Sequence, residues 1–290
     1  MFNFLHTFHP SPILFAIGPI QIHWYGFFIM AGALAAIAVA FFLAKKQNLK
    51  TDAIIDLAFW LIIFGLIGAR LYHVFLELPY YLANPLNIFK IWQGGLAIHG
   101  GVIAGITTLW FYAKKHQHNF WQLASIITPG LALAQALGRW GNYFNQELFG
   151  YPTGLPWGIP IDAAHRPWQY FNYQYFHPTF LYESIGNLVI FLILIALHAN
   201  LIKKSKTTST KFPISLALPD PAEPDNFQFP IFVYLLLYSL LRFSTEFIRI
   251  DETPTALGLR FPQLASLLII FAVFIYFIWL KIIKKPALDK

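Results

Sequence analysis

Long apolar runs dominate the chain. Seven come close to the ~20 residues that a helix needs to cross a bilayer: Ile22–Leu43, Ile54–Leu76, Leu96–Tyr112, Trp121–Leu137, Phe180–Ile202, Ile231–Ile250 and Gln263–Ile283. The third and fourth are the shortest. The residues before the first run carry no Lys or Arg and are broken by Pro10, Pro12 and Pro19, so they do not read as a signal peptide. The pattern predicts an all-α polytopic membrane protein with seven transmembrane helices, one integral membrane domain over residues 1–290.

Lysines orient these spans. Lys45, Lys46 and Lys50 follow the first, Lys114 and Lys115 the third, Lys203, Lys204, Lys206 and Lys211 the fifth, and Lys281, Lys284, Lys285 and Lys290 the seventh. Thirteen of the fourteen lysines thus lie on alternate connections, with Lys90 the exception. Cytoplasmic loops carry the excess of basic residues, which puts the N-terminus outside and the C-terminus in the cytoplasm. Residues 203–229, rich first in Lys, Ser and Thr and then in Pro and acid, read as a cytoplasmic linker. Residues 140–179, rich in aromatics, Pro and Gly, read as a periplasmic connection folded into a small subdomain.

Composition narrows the class. Charged residues make up 11% and hydrophobic residues 57% of the 290 residues, against about 25% charged in soluble domains. Such numbers exclude disorder. The absence of cysteine excludes a disulfide scaffold, a cysteine nucleophile and Cys-ligated metal. The net charge of +7 belongs to helix ends rather than to one patch, so nucleic acid is not an expected partner.

Arginines break the lysine rule. Arg70, Arg139, Arg166, Arg242, Arg249 and Arg260 all fall at outer span ends or in outer connections. Arginine forks suit phosphate or carboxylate. On this topology Tyr25, Arg70, His99, Arg139, Asn142, Glu147, His177, Glu183, Arg242, Glu246 and Arg249 share one depth near the outer leaflet. Tyr238, Arg242, Glu246 and Arg249, spaced four, four and three, fall on one helix face. They form either an ion-pair ladder or, with two cations to one anion inside a span, an anion site. Gly94 and Gly95 precede His99, and a glycine-rich helix start suits an anion. Gly101 and Gly105 form a small-residue helix-packing pair. Glu183 reads as a pairing partner for one of the arginines.

Five strings carry a resemblance: HWYG at His23–Gly26, GGLAIHGG at Gly94–Gly101, GRWGNYFNQELFG at Gly138–Gly150, HPTFLYE at His177–Glu183 and RFSTEFIR at Arg242–Arg249. In this order, over the whole chain, the sequence resembles the prolipoprotein diacylglyceryl transferase family of bacterial inner membranes. It departs in a long 203–229 segment and in Pro262, where glycine is expected before Gln263. The resemblance implies transfer of the diacylglyceryl group of phosphatidylglycerol to the lipobox cysteine of a preprolipoprotein signal peptide, with release of glycerol phosphate. It implies catalytic roles for His99, Arg139 and Arg242, and substrate-binding roles for Tyr25, Asn142, Glu147, Gly150, Tyr238, Glu246 and Arg249. Neither a metal nor a cofactor is called for. A histidine with an ordinary pKa near ~6.5 can accept a thiol proton at neutral pH, and fixed arginines can stabilise a leaving phosphate. His99 reads equally as base or as phosphate ligand, and Glu246 and Glu147 as anchors for the arginines. A lipid transporter would use similar arginines, but the inner halves of the spans are almost wholly apolar. The motifs of intramembrane proteases are missing.

Overall fold

The computed structural model describes residues 2–209 and 227–283. The helices are α1 (Phe2–Thr7), α2 (Trp24–Lys46), α3 (Thr51–Leu76), α4 (Leu78–Ala83), α5 (Ile98–Lys115), α6 (Phe120–Phe144), α7 (Thr179–Ser209), α8 (Gln228–Thr245) and α9 (Phe261–Ile283). Three two-stranded antiparallel pieces accompany them: β1 (Ile13–Ile17) with β2 (Ile20–His23), β3 (Ile159–Pro160) with β4 (Tyr175–Phe176), and β5 (Thr255–Ala256) with β6 (Leu259–Arg260). These hairpins are additions to the all-helical expectation. The first turns at Gly18, whose φ of +58° suits the first position of a tight hairpin turn followed by proline.

Six helices are long and apolar enough to cross a membrane: Trp24–Lys46, Thr51–Leu76, Phe120–Phe144, Thr179–Ile202 within α7, Gln228–Thr245, and Phe261–Trp279 within α9. The expected third span falls on α5, which is not among the six. Its glycines, its two threonines and its terminal Lys114 and Lys115 dilute its 18 residues. Span six ends earlier than its apolar run suggests. α8 stops at Thr245, where the Ser244 and Thr245 hydroxyls donate to the carbonyls of Leu240 and Arg242 at 2.9 and 3.2 Å and compete with the helix for acceptors. Glu246–Ile248 follow as a turn. Pro262 falls in the first turn of α9, where its missing N–H is harmless. Of the segment 203–229, residues 210–226 lie outside those described.

The chain divides into two compact units. One holds the described parts of Met1–Ala36, Thr128–Ser215 and Phe229–Lys290, the other those of Ile37–Ile127 and Leu216–Gln228. In the first, α2 and α6 approach closely at glycines: a Cβ on Gly130 would lie 2.7 Å from the Ala36 carbonyl oxygen, and one on Gly32 3.1 Å from that of Ala134. Residues beyond α6 form an apolar core of Phe149, Ile159, Ile161 and Phe176 with Leu5 of α1, Tyr143 of α6, and Phe180 and Leu181 of α7.

In the second unit α3 and α5 pack antiparallel, Gly68 against Gly100 and Ala104 at one end, and the Tyr112 hydroxyl donating to the Ala53 carbonyl at 3.0 Å at the other. The tight small-residue pair is therefore Gly100 with Ala104. Gly105 faces open space and Gly101 makes ordinary contact, so the expected Gly101–Gly105 seam is displaced by one residue around the helix. A Cβ on Gly68 would come within 2.3 Å of the Ala104 Cβ and 2.7 Å of the Gly100 carbonyl oxygen. Backbone cannot step aside as a flexible side chain can. Gly68→Ala should destabilise by about 1–3 kcal/mol through overpacking, read as a lower Tm in detergent. An unchanged Tm would show that the two helices are free to separate.

Candidate active site

The ends of α6, α7 and α8 converge in the first unit. Because α7 begins at Thr179, Glu183 sits one turn inside it and faces α6 and α8. Its side chain is 3% exposed, and it meets three guanidiniums: Arg139 of α6 at 2.6 Å, Arg242 of α8 at 3.2 Å and Arg249 at 3.3 Å. Glu246, fully buried, pairs with Arg242, lies 3.8 Å from Arg249 Nε, and lies 2.8 Å from Arg260 Nε. Its oxygens lie off the N–H axes, so these are charge contacts rather than aligned hydrogen bonds. Asp251 completes the set, 2.7 Å from Arg249 Nε and 3.1 Å from Arg260 Nη2.

Four guanidiniums therefore meet three carboxylates. Glu183 and Glu246 lie deepest, at 3% and 0% exposure, and Asp251 lies nearer the surface at 25%. Arg249 is as buried as the glutamates, at 3% exposure, whereas Arg139 and Arg242 remain 20% and 18% exposed. Asn142 links the cluster to the loop beyond α6: Arg139 Nη1 donates to its Oδ1 at 3.3 Å, and its Nδ2 donates to Glu147 at 2.7 Å. Glu147 reaches Arg139 through Asn142. Tyr25 packs on Gly141, where an added Cβ would lie 2.8 Å from its ring. Gly150 forms an isolated β-bridge with Arg249 and donates its N–H to the His177 carbonyl at 3.0 Å. A Cβ there would meet Ile248 at 2.7 Å and His177 at 2.8 Å, so only glycine lets the three segments close. Tyr238 stacks on Tyr234, one turn earlier in α8, with ring centroids 5.6 Å apart.

Outside the helices, two carboxylates are shifted. Burial pushes Asp251 up, but the hydrogen bond and charge of Arg249 and the charge of Arg260 outweigh it and hold it below the usual range. Asp162 is lowered chiefly by the Gln146 amide, with His9 adding to it. Gln146 reaches Asp162 at 2.6 Å and the Pro10 carbonyl at 3.0 Å. It thereby ties the loop after α6 to the N-terminal segment. Burial lowers the pKa of His177.

The second unit carries His99. It lies exposed at the second position of α5, its ring 5.8 Å from that of Tyr72. Of the glycines before it, Gly94 donates its N–H to the Ile91 carbonyl at 3.2 Å. Their carbonyls receive Arg70, whose Nη1 donates to Gly94 at 2.8 Å and Gly95 at 2.9 Å, while Nε and Nη2 donate to Ile88 and Asn87 at 2.8 and 2.5 Å. Gly94 and Gly95 adopt φ of +89° and +75°, and a Cβ on Gly95 would sit 2.5 Å from Arg70 Nη1. Arg166 is likewise engaged with carbonyls, those of Ile161 and Phe171. Both arginines are structural. Among the described residues no group of three or more His, Asp or Glu could hold a metal ion.

Two residues carry more of the site than the sequence reveals. Glu183 appears there as the partner of one arginine and proves to be the partner of three. Arg260 appears as an outer cation. It binds Glu246 and Asp251 and caps the carbonyls of Arg249 and Asp251 at 2.6 and 2.7 Å.

A family model described as prolipoprotein diacylglyceryl transferase matches residues 12–279. A phosphatidylglycerol–prolipoprotein diacylglyceryl transferase of Synechocystis sp. is 40% identical over 281 residues, 97% of this chain and 93% of the relative. Proteins of the same name from Nostoc sp. and Synechococcus elongatus are 40% and 38% identical over 99% and 97% of the chain, which covers 94% and 91% of their lengths.

Removing one partner of a buried ionic network costs about 3–5 kcal/mol. Glu183→Ala should lower the Tm in detergent accordingly, and a Tm within a degree of the parent would remove Glu183 as the anchor. Asp251 has a folded pKa below its unfolded value of about 3.9, so its stabilisation is complete above that value and fades as pH falls through the folded one. Asp251→Asn should therefore flatten the acid loss of stability below about pH 4. Parallel acid-unfolding curves for the two proteins would contradict this.

Proposed function

The chain belongs to the prolipoprotein diacylglyceryl transferase family, and on that premise we propose how its residues carry the reaction. The enzyme transfers the diacylglyceryl group of phosphatidylglycerol to a preprolipoprotein and releases glycerol phosphate, the first step of lipoprotein maturation. The acceptor is the thiol of the lipobox cysteine. Sulfur attacks the glycerol carbon that bears the phosphate ester. A C–S bond forms, the C–O bond breaks, and its electron pair leaves with the phosphate.

The observation that carries this reading is the arginine cluster. Arg139 and Arg242 are each held from behind by a buried glutamate and stay partly exposed in front. Such a pair, fixed before substrate arrives, stabilises phosphate charge as it develops and loses little to reorganisation. Glu183 and Glu246 hold Arg242 in register, Arg249 helps to fix both acids, Asn142 and Glu147 orient Arg139, and Gly150 fixes the Arg249 backbone. Tyr25 and Tyr238 line the approach of lipid or peptide. His99 receives the thiol proton, since only thiolate is a good nucleophile and a free thiol has a pKa of about 8.5. The chain itself has no cysteine; the nucleophile arrives with the substrate.

In the membrane, α5 crosses as a seventh span. The lysine distribution supports an N-terminus outside and a C-terminus in the cytoplasm. Residues 140–179 then form the periplasmic connection and 203–229 the cytoplasmic linker. The host membrane is the bacterial inner membrane, with the reaction near its periplasmic leaflet.

Purified enzyme, phosphatidylglycerol vesicles and a lipobox peptide supply the test. Arg139→Ala and Arg242→Ala should each lower kcat/KM by about 10²–10³-fold, the usual loss for a fixed transition-state donor. His99→Gln should lower kcat by about 10²–10⁴-fold as a lost general base. Wild-type rates in either arginine variant would overturn the clamp. A His99→Gln defect confined to KM would make the histidine a ligand instead.

A further inference from the structure

An open apolar groove of about 740 Å³ runs along the α3–α5 pair in the second unit. Trp60, Phe64 and Phe75 of α3 and Phe111 of α5 wall it, and its floor is the seam where Gly68 meets Ala104. One end is apolar apart from Tyr72. The other is closed by Lys115 and His116. The neighbouring Lys114 ammonium is occupied over the Trp110 ring at 5.3 Å; among the described residues Lys115 has no such aromatic partner, and it lines the groove.

The lining decides what fits. From Gly100 to His116 the groove follows α5 for about 24 Å at 1.5 Å per residue. Its walls are apolar over that length and its far end is cationic. An extended hydrocarbon chain, with carbon neighbours at about 4 Å, suits the walls, and a phosphate suits Lys115. We propose that this groove holds one acyl chain of an anionic phospholipid whose phosphate rests on Lys115 and His116, a lipid site at the opposite end of α5 from His99. The inference rests on α5 lying in the bilayer beside α3, and not on the transfer reaction.

The test uses the full-length protein in vesicles containing either phosphatidylglycerol or phosphatidylcholine with a photoactivatable diazirine in one acyl chain. Irradiation followed by peptide mapping should label residues 60–75 and 103–111. A lysine near a membrane surface contributes about 1 kcal/mol toward an anionic lipid, so labelling should be about five-fold stronger with phosphatidylglycerol. Lys115→Gln combined with His116→Gln should bring the two lipids level. Thr107→Trp, which fills the groove from α5, should remove the label with either lipid at an unchanged Tm. Equal labelling by both lipids in the parent, or label that persists in a folded Thr107→Trp, would overturn the proposal. If Thr107→Trp fails to fold, the charge variant still decides. Transfer activity is not read, so a failure here leaves the enzymatic assignment standing.

Discussion

Three guanidiniums share the buried carboxylate of Glu183, and the rest of the site depends on that sharing. Arg139, Arg242 and Arg249 come from two helices and a turn. Left alone at this distance in a low-dielectric setting they would repel one another by several kcal/mol, and the ends of α6 and α8 would move apart. One carboxylate with about four acceptor positions can satisfy three forks at once. Glu246 and Asp251 then extend the arrangement to Arg260. Together these acids convert four repelling cations into a fixed, slightly positive surface. Burial makes the arrangement costly to break, and that cost is what fixes it.

The second unit rests on a different constraint, the close approach of backbone to backbone. Gly68, Gly100 and Ala104 let α3 and α5 touch, and Arg70 then gathers four carbonyls of the loop that leads to His99. A cation is used here as a tie between backbone segments. The glycine pair Gly94–Gly95 follows from it, because a side chain at Gly95 would occupy the space of the guanidinium. One residue type thus serves two ends in this chain. Arg70 and Arg166 spend their donors on carbonyls, while the four arginines of the cluster meet acids and leave charge over.

Much of this was legible in the sequence, because the signals were long or local. Runs of about twenty apolar residues marked the spans, and the spacing of Arg242, Glu246 and Arg249 marked an ion ladder. What escaped depended on three-dimensional neighbours. Periodicity cannot show that α8 stops at Thr245, since hydroxyls competing for carbonyls leave the apolar pattern intact. Nor can it show that Glu183 faces α6 and α8 rather than one arginine. The phase of α5 decided between Gly101–Gly105 and Gly100–Ala104, and a shift of one residue, about 100° around the helix, lies within what a motif leaves open. That Glu147 reaches its arginine through Asn142 is likewise beyond what spacing shows.

The exposures within the cluster give it a direction. A structural ion network has no need for its cations to reach one surface, and Arg249, at 3% exposure, shows that a guanidinium can be enclosed completely here. Arg139 and Arg242 are not enclosed; they are backed by acids and left open at the front. Each turns two of its nitrogens to protein partners, and a guanidinium carries five N–H groups in all. The remaining donors are oriented by contacts that are already made, so a phosphate that meets them need not reorder the side chains. Under the proposed clamp, such an arrangement would favour the state in which negative charge is greatest, as the C–O bond breaks, over the resting diester, which bears less charge on the oxygen that leaves. Selectivity for the transition state would then follow from glutamates that lie deeper than the arginines they hold.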